Sequence, residues 1–497
     1  MGLAATPEVL DPVEVPGPRI EVHETHTGVV VLAGNRAYKS KKPVVTDFLD
    51  FSTQRSREHA CLREIELNRR LAADSYLGLA HLVGPEGGPG EPVIEMRRYP
   101  DSERLATIVG KGLPAVGHLD AIAERIARLH ADSAHDKEIS AAGRRTAIIV
   151  RWEENLGELN RRAGTLDAGG AIARINRLFR QYVDGRATLF AQRIDQCRIV
   201  DGHGDLQAAD IFCTADGPAI LDCLEFDDQL RYVDGIDDAS FLAMDLQFLG
   251  AGELADHFLA AYRHAAGDDA PLSLAHFYIA YRAVVRAKVD CVRMEQGDAL
   301  ARADAIRHLE LAFDNLRAAT VRLIVVGGEP GTGKSTVSRA LGTALAAQVI
   351  STDDVRAELG AAGRLDGPAG QYGAGRYSRE QVQLVYRTML RRAGLLLAQG
   401  ESVILDATWR DADARECARA LGREHRCPIV ELECTAPLAI ARERIGNRTD
   451  GTSEVTAEIA EAMAREHISW PEAHRIDTTA PLIASVDMAT TVCRSAL

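Results

Sequence analysis

The legible patterning begins with short stretches in which apolar positions cluster or alternate. These are EVHETH, GVVVL and RAYKSKK, separated by Gly28 and by the turn pair Gly34-Asn35. Strand-length runs bounded by such residues predict a small antiparallel sheet. Near Ser52 the period changes. STQRSREHACLREIELNRRLA places apolar residues three and four apart, as a helix with one buried face does, and PVIEMRRY after the loop GPEGGPG returns to a strand. From there to His203 the spacing is mostly helical, and helices resume in FYIAYRAVVRAKVDCVRM and in the segment ending AIRHLELAFDNLRAAT. The run VRLIVVGG starts a different rhythm: QVISTDD, SVILDAT, PIVELEC and HRIDT follow as strands separated by helical stretches, the alternation of a parallel α/β sheet. The change between Asn315 and Thr320 predicts two domains, residues 1–318 and 319–497.

Composition narrows the functional classes. A chain of 497 residues exceeds one compact core and by length alone divides into about two to four domains. With 46% hydrophobic residues, 26% charged residues and a net charge of −14, it is an ordinary acidic globular protein. Nucleic acid is not the expected partner, because phosphate-backbone binding calls for a basic face. The nine cysteines between Cys61 and Cys493 contain no C-x-x-C pair, which argues against a zinc ribbon or a disulfide framework and for a reducing compartment. MGLAATPEVLDPVEVPGPRI has no basic segment followed by an apolar one, and no run reaches the length of a membrane span. The expectation is a cytoplasmic protein with no membrane partner. MGLAAT fits the myristoylation pattern, whose free positions make it weakly informative.

The strongest chemical signal is Gly328-Glu329-Pro330-Gly331-Thr332-Gly333-Lys334-Ser335, which satisfies G-x-x-x-x-G-K-[ST] between an apolar strand and the helical run STVSRALGTALAA. Gly328, Gly331 and Gly333 let backbone amides curl round phosphate oxygens. Lys334 is placed to reach the outer phosphates and Ser335, followed by Thr336, to hold Mg2+, while the helix N-terminus adds partial positive charge. ATP and Mg2+ are the implied cofactors. Asp353 and Asp354 lie where the second strand should stop, Asp406 and Thr408 where the third should; strand ends of this kind line the ligand crevice. RERIGNRTDGTSEV adds Arg442, Arg444 and Arg448 after a strand. Together these features resemble the small-molecule P-loop kinases, a group that includes gluconate and shikimate kinases and the zeta-toxin-like phosphotransferases. The resemblance implies a substrate or base role for Asp353 or Asp354 and a lid role for Arg444 and Arg448.

A second phosphate site is suggested by HGDLQAADIFCTADGPAILDCLEFDD, residues His203 to Asp228. HGDLQAAD resembles the H-G-D-x-x-x-x-N catalytic loop of the aminoglycoside phosphotransferase and choline kinase family, relatives of the protein kinases, with ILDCLEF supplying the next aspartate on a short strand. The resemblance implies that Asp205 accepts a proton from an attacking hydroxyl while Asp210 and Asp222 hold Mg2+ against ATP phosphates. Ala37-Tyr38-Lys39 matches the family's A-x-K, with Lys41 as the alternative lysine, and Glu64 is its expected partner on the following helix. Two departures stand out. The loop Thr25-His26-Thr27-Gly28 is not glycine-rich, and Asp210 replaces the family's asparagine, adding a charge beside the phosphates.

In this order the two halves resemble bacterial fusions of an aminoglycoside-phosphotransferase-like domain with a P-loop ATP-binding domain. The implied fold is α/β and α+β, a kinase-like bilobal domain followed by a parallel-sheet P-loop domain. The implied function is a bifunctional ATP-dependent phosphotransferase for a small hydroxylated molecule. A chain with one catalytic half and one regulatory, degenerate half is the competing reading. A polynucleotide 5'-kinase is a weaker third, disfavoured by the acidic balance.

Overall fold

The computed structural model describes residues 20–24, 28–44, 50–84, 87, 90–166, 168–367, 375–447 and 469–497. They form two compact units: the described residues up to Ser133 together with Asp201–Arg231, and Ala134–Val200 together with Tyr232–Leu497. The helices that follow Ala134 thus share a unit with the C-terminal α/β sheet, and the HGD stretch belongs with the N-terminal strands.

The first unit is built on strands β1 (Ile20–Glu24), β2 (Gly28–Ala33), β3 (Arg36–Lys41), β4 (Tyr76–Leu82) and β5 (Glu91–Arg97). They form an antiparallel sheet in the order β1-β2-β3-β5-β4. The helix Gln54–Ala72 packs on it, started by Thr53, whose side chain accepts from the Ser56 amide. Cys61 and Ile65 of that helix meet Ala37, Ile94 and Met96 of the sheet, together with Phe212, Ala219 and Leu221. The last three come from or adjoin the hairpin β7 (Ile211–Thr214) and β8 (Gly217–Ile220). Side chains alternate along a strand, so Lys39 and Lys41 share the face of buried Ala37. Two further short strands are β6 (Ile199–Asp201) and β9 (Tyr232–Asp234).

The second unit begins with helices around an aromatic core. Trp152 stacks on Phe179 with centroids 4.9 Å apart and meets Phe277 and Tyr281. Arg193 is buried between Asp234 and Asp268, donating to both carboxylates. A buried cation of this kind is tolerated only because it is fully paired. The helix Ala301–Ala319 leads into β10 (Leu323–Gly327), the centre of a parallel sheet ordered β11-β12-β10-β13-β14. Its other strands are β11 (Gln348–Ser351), β12 (Val403–Asp406), β13 (Ile429–Thr435) and β14 (His474–Asp477). Ile324, Val326, Ile404, Val430 and Leu432 form its core with Val337 and Leu341 of the following helix. Helices and sheet are joined within this unit. Buried Arg186 donates to the His425 carbonyl at 2.9 Å and to Cys427 Sγ at 3.1 Å, and Ser273 Oγ donates to the Gly400 carbonyl at 2.7 Å. Among the described residues no helix is long and apolar enough to cross a membrane.

Candidate nucleotide-binding sites

In the first unit the sheet and the helix Gln54–Ala72 bring two lysines to one carboxylate. Lys39 Nζ lies 2.8 Å from Glu64 Oε1 and Lys41 Nζ 2.6 Å from Glu64 Oε2, with the Glu64 side chain wholly buried. Lys39 and Lys41, the two alternative lysines, thus share the Glu64 carboxylate. Lys39 also pairs with Asp222, and Lys41 with Glu225. Burial opposes the charge on Lys39, but Asp222 and Glu64 outweigh it and hold its pKa well above the ordinary range. Lys41 is raised in the same way, burial being outweighed chiefly by Glu64. Glu225 is pushed up by burial and by Glu64, against the pull of Lys41.

Asp222 lies just after β8 rather than on a strand as expected, in the left-handed region with φ 65°. That conformation is costly for a side chain with a Cβ and is commoner for aspartate than for most residues. Its amide donates to the Tyr76 hydroxyl at 3.2 Å, which fixes the turn. Burial pushes its carboxyl up, yet Lys39 more than reverses this and the net shift is downward. Asp210 behaves oppositely. It ends the turn Ala208–Asp210, and burial, then Asp222 and Asp205, hold its carboxyl well above the usual range. Asp205 accepts from Gln207 Nε2 at 2.9 Å, and its amide faces His203 Nδ1 at 3.3 Å. Buried His203 lies with Nε2 3.0 Å from the Leu221 carbonyl, so the tautomer that satisfies both contacts carries its proton on Nε2. Among the described residues no three His, Cys, Asp or Glu side chains converge tightly enough to cage a metal by themselves. That donor set suits Mg2+, which commonly takes one or two carboxylates and completes its shell with phosphate oxygens and water.

In the second unit the site is made largely of backbone. Between β10 and the helix Lys334–Leu345 the loop carries Gly328, Gly331 and Gly333 at φ 131°, 82° and 86°. A Cβ on Gly328 would lie 2.3 Å from the Cys434 carbonyl oxygen, and one on Gly331 2.4 Å from that of Ala441. Only glycine fits there, and the curled amides meet the helix N-terminus as an anion cradle does. Lys334 Nζ donates to the Glu329 carbonyl at 3.0 Å, and Ser335 and Thr336 occupy the first helical turn. Asp406, 3% exposed at the end of β12, lies near the Ser335 side chain. Burial pushes its carboxyl up, while Lys334 and Ser335 pull it down. A hydroxyl and a carboxylate oxygen side by side next to the loop are donors fit for Mg2+.

Asp353 and Asp354 lie in the first turn of the helix Thr352–Ala361, two and three residues past the end of β11 where they were expected; Asp353 accepts from Arg356 at 2.9 Å. Arg444, in the helix Leu438–Gly446, donates to the Thr478 hydroxyl at 3.2 Å and carbonyl at 2.7 Å, and its guanidinium lies 3.4 Å from where a Cβ on Gly333 would be. Arg448 and Thr25–Thr27 lie outside the described residues. Sequence reasoning placed Asp406 in the crevice but missed its nearness to Ser335, and it missed Glu225 altogether. A polar residue closing an apolar strand was the available signal for Asp406, whereas nothing local marks Glu225.

The five-stranded parallel sheet with its phosphate loop is a P-loop fold, and the unit before it joins an antiparallel sheet to one helix through a lysine–glutamate pair. An AAA domain family model matches residues 323–467. Over 97% of its length the chain is 54% identical to the uncharacterized protein Rv2004c of Mycobacterium tuberculosis, covering 96% of that protein. It belongs to the family of Rv2004c. A gluconokinase from Sinorhizobium meliloti is similar over 35% of this chain and 92% of its own, at 17% identity and TM-score 0.26. A choline/ethanolamine kinase family protein from Mesorhizobium loti is similar over 62% of this chain and 93% of its own, at 15% identity and TM-score 0.37.

Proposed function

We propose that the protein is an ATP-dependent phosphotransferase acting on a small hydroxylated molecule, with one MgATP site in each unit. The observation that carries the reading is the glycine cradle of the second unit, where Lys334 and the Ser335–Asp406 pair stand beside amides that a side chain at Gly328 or Gly331 would displace. There Lys334 neutralises outer phosphate oxygens, Ser335 and Asp406 hold the metal, and Asp353 or Asp354 orients or deprotonates the acceptor, with Arg444 and Arg448 as cations at the transferring group. Bound Mg2+ supplies charge neutralisation. In the first unit Lys39, aligned by Glu64, meets the α and β phosphates, Asp222 and Asp210 hold the metal, and Asp205 takes the hydroxyl proton of the acceptor. The protein's place of work on this reading is the cytoplasm.

A second reading makes the first unit a degenerate, regulatory half that does not hold MgATP. It is favoured by Asp210, whose carboxyl is held well above its usual range by burial and by Asp222 and Asp205, as in a site too rich in negative charge for polyphosphate. Isothermal titration of the full chain with MgATP, followed by an ATP-consumption screen over sugars, aminoglycosides and polyols, tests both. Two nucleotides per chain with consumption stopped by Asp205→Asn for one acceptor class supports the first reading. One nucleotide, lost in Lys334→Ala, supports the second.

A further inference from the structure

The P-loop unit carries an ion pair that the scheme above does not use. Arg410, in the loop after β12, donates through its NH1 to Glu329 Oε1 at 2.6 Å, and Glu329 is itself a residue of the phosphate loop. The other carboxylate oxygen, Glu329 Oε2, is shut from solvent and has no hydrogen-bond partner among the described residues. The Glu329 side chain is 35% exposed, yet this oxygen is left without a partner where water does not reach it, which is unfavourable. This arrangement is therefore a poor choice for a purely structural clip.

The backbone that delivers Arg410 is also strained. Trp409 has φ 54°, a left-handed conformation in which a bulky side chain is an outlier. It is held there from four sides. Its ring is buried, its Nε1 donates to the Leu405 carbonyl at 3.2 Å, its amide donates to the Tyr386 hydroxyl at 3.2 Å, and its carbonyl accepts from Arg415 at 2.7 Å. Strain that the surroundings enforce so fully is characteristic of a ligand-facing turn. Its consequence is that the next residue, Arg410, projects toward the phosphate loop.

We infer that Arg410 is a phosphate-binding residue of the P-loop site and that Glu329 is its positioning residue, an internal anion that holds the guanidinium at the loop until a phosphate replaces it. The inference rests on the P-loop reading given above. The exchange is one of partners: the guanidinium leaves a carboxylate for phosphate oxygens, and the Glu329 carboxylate moves to water. Glu329 thereby weakens binding of any polyphosphate while keeping Arg410 aimed at where it arrives.

Titration calorimetry of the full chain with a non-hydrolysable MgATP analogue reads this directly, counting only the binding that Lys334→Ala removes. Glu329→Gln keeps the side-chain shape and should tighten binding about three- to tenfold, by removing a competing charge. Arg410→Gln should weaken it about tenfold, and the double variant should match Arg410→Gln, because the gain from Glu329→Gln needs the arginine. Thermal melting confirms that each variant is folded. Equal tightening by Glu329→Gln with and without Arg410 would show simple repulsion of phosphate and overturn the positioning role. Unchanged affinity in both single variants would overturn the inference while leaving the P-loop reading intact. Absence of any Lys334-dependent binding in the native chain would defeat the P-loop reading, and this inference with it.

Discussion

The two candidate phosphate sites solve the same problem with different materials. In the P-loop unit positive potential comes largely from backbone amides and a helix N-terminus, joined by the Lys334 side chain and neighbouring arginines. In the first unit nearly everything is a side chain: two lysines, Glu64, Glu225 and Asp222 linked through ion pairs, with Asp205 and Asp210 beside them. A backbone site tolerates little change in shape and takes few of its charges from side chains. A side-chain network is the reverse, and its affinity for a polyphosphate follows the ionisation and metal occupancy of its carboxylates.

The largest expected effect is in the P-loop unit. Lys334→Ala should cost at least about 100-fold in MgATP affinity there, because it removes the cation facing the outer phosphates, and calorimetry of the full chain measures it. Gly331→Ala should do as much through shape alone, since the added methyl meets the Ala441 carbonyl. An affinity for Gly331→Ala equal to the native one would erase the contrast drawn between the sites.

Next in size is Lys41→Ala. It leaves Glu64 with one lysine and Glu225 with none of its cation, both in buried surroundings, and should destabilise the protein by about 3 kcal/mol. Urea unfolding reads the loss. A shift below about 0.5 kcal/mol would mean that the network is wetter and looser than its burial implies. Smaller still is the effect of Asp210→Asn. The native carboxyl holds its proton above the ordinary carboxylate range, so the folded state binds more protons than the unfolded one there. The stability this contributes is full below the unfolded value and is lost as pH rises through the raised one. The asparagine variant should flatten that slope in melting curves and should bind nucleotide at several-fold lower Mg2+. A slope identical to the native one would contradict the assignment.

What could be read from the chain beforehand divides along the same line. The phosphate loop is contiguous, so its glycines, Lys334 and Ser335 announce themselves, and the strand rhythm around them gives the parallel sheet. The first unit's pairings join residues far apart in sequence. Alternation along β3 places Lys39 and Lys41 on one face, but only the packed helix shows that both reach Glu64. Glu225, the left-handed turn at Asp222 and the nearness of Asp406 to Ser335 likewise depend on packing and turn geometry that no local spacing encodes. Asp353 and Asp354 fall in a helix rather than at the strand end because β11 stops at Ser351, which caps the helix that follows at once.

Nucleotide stoichiometry of the full chain tests the central claim most directly. At saturating Mg2+ the native protein should bind two ATP molecules per chain, Lys334→Ala one, and Asp222→Ala one. A native stoichiometry of one that Lys334→Ala reduces to zero would contradict it, leaving the carboxylate-rich unit without a nucleotide.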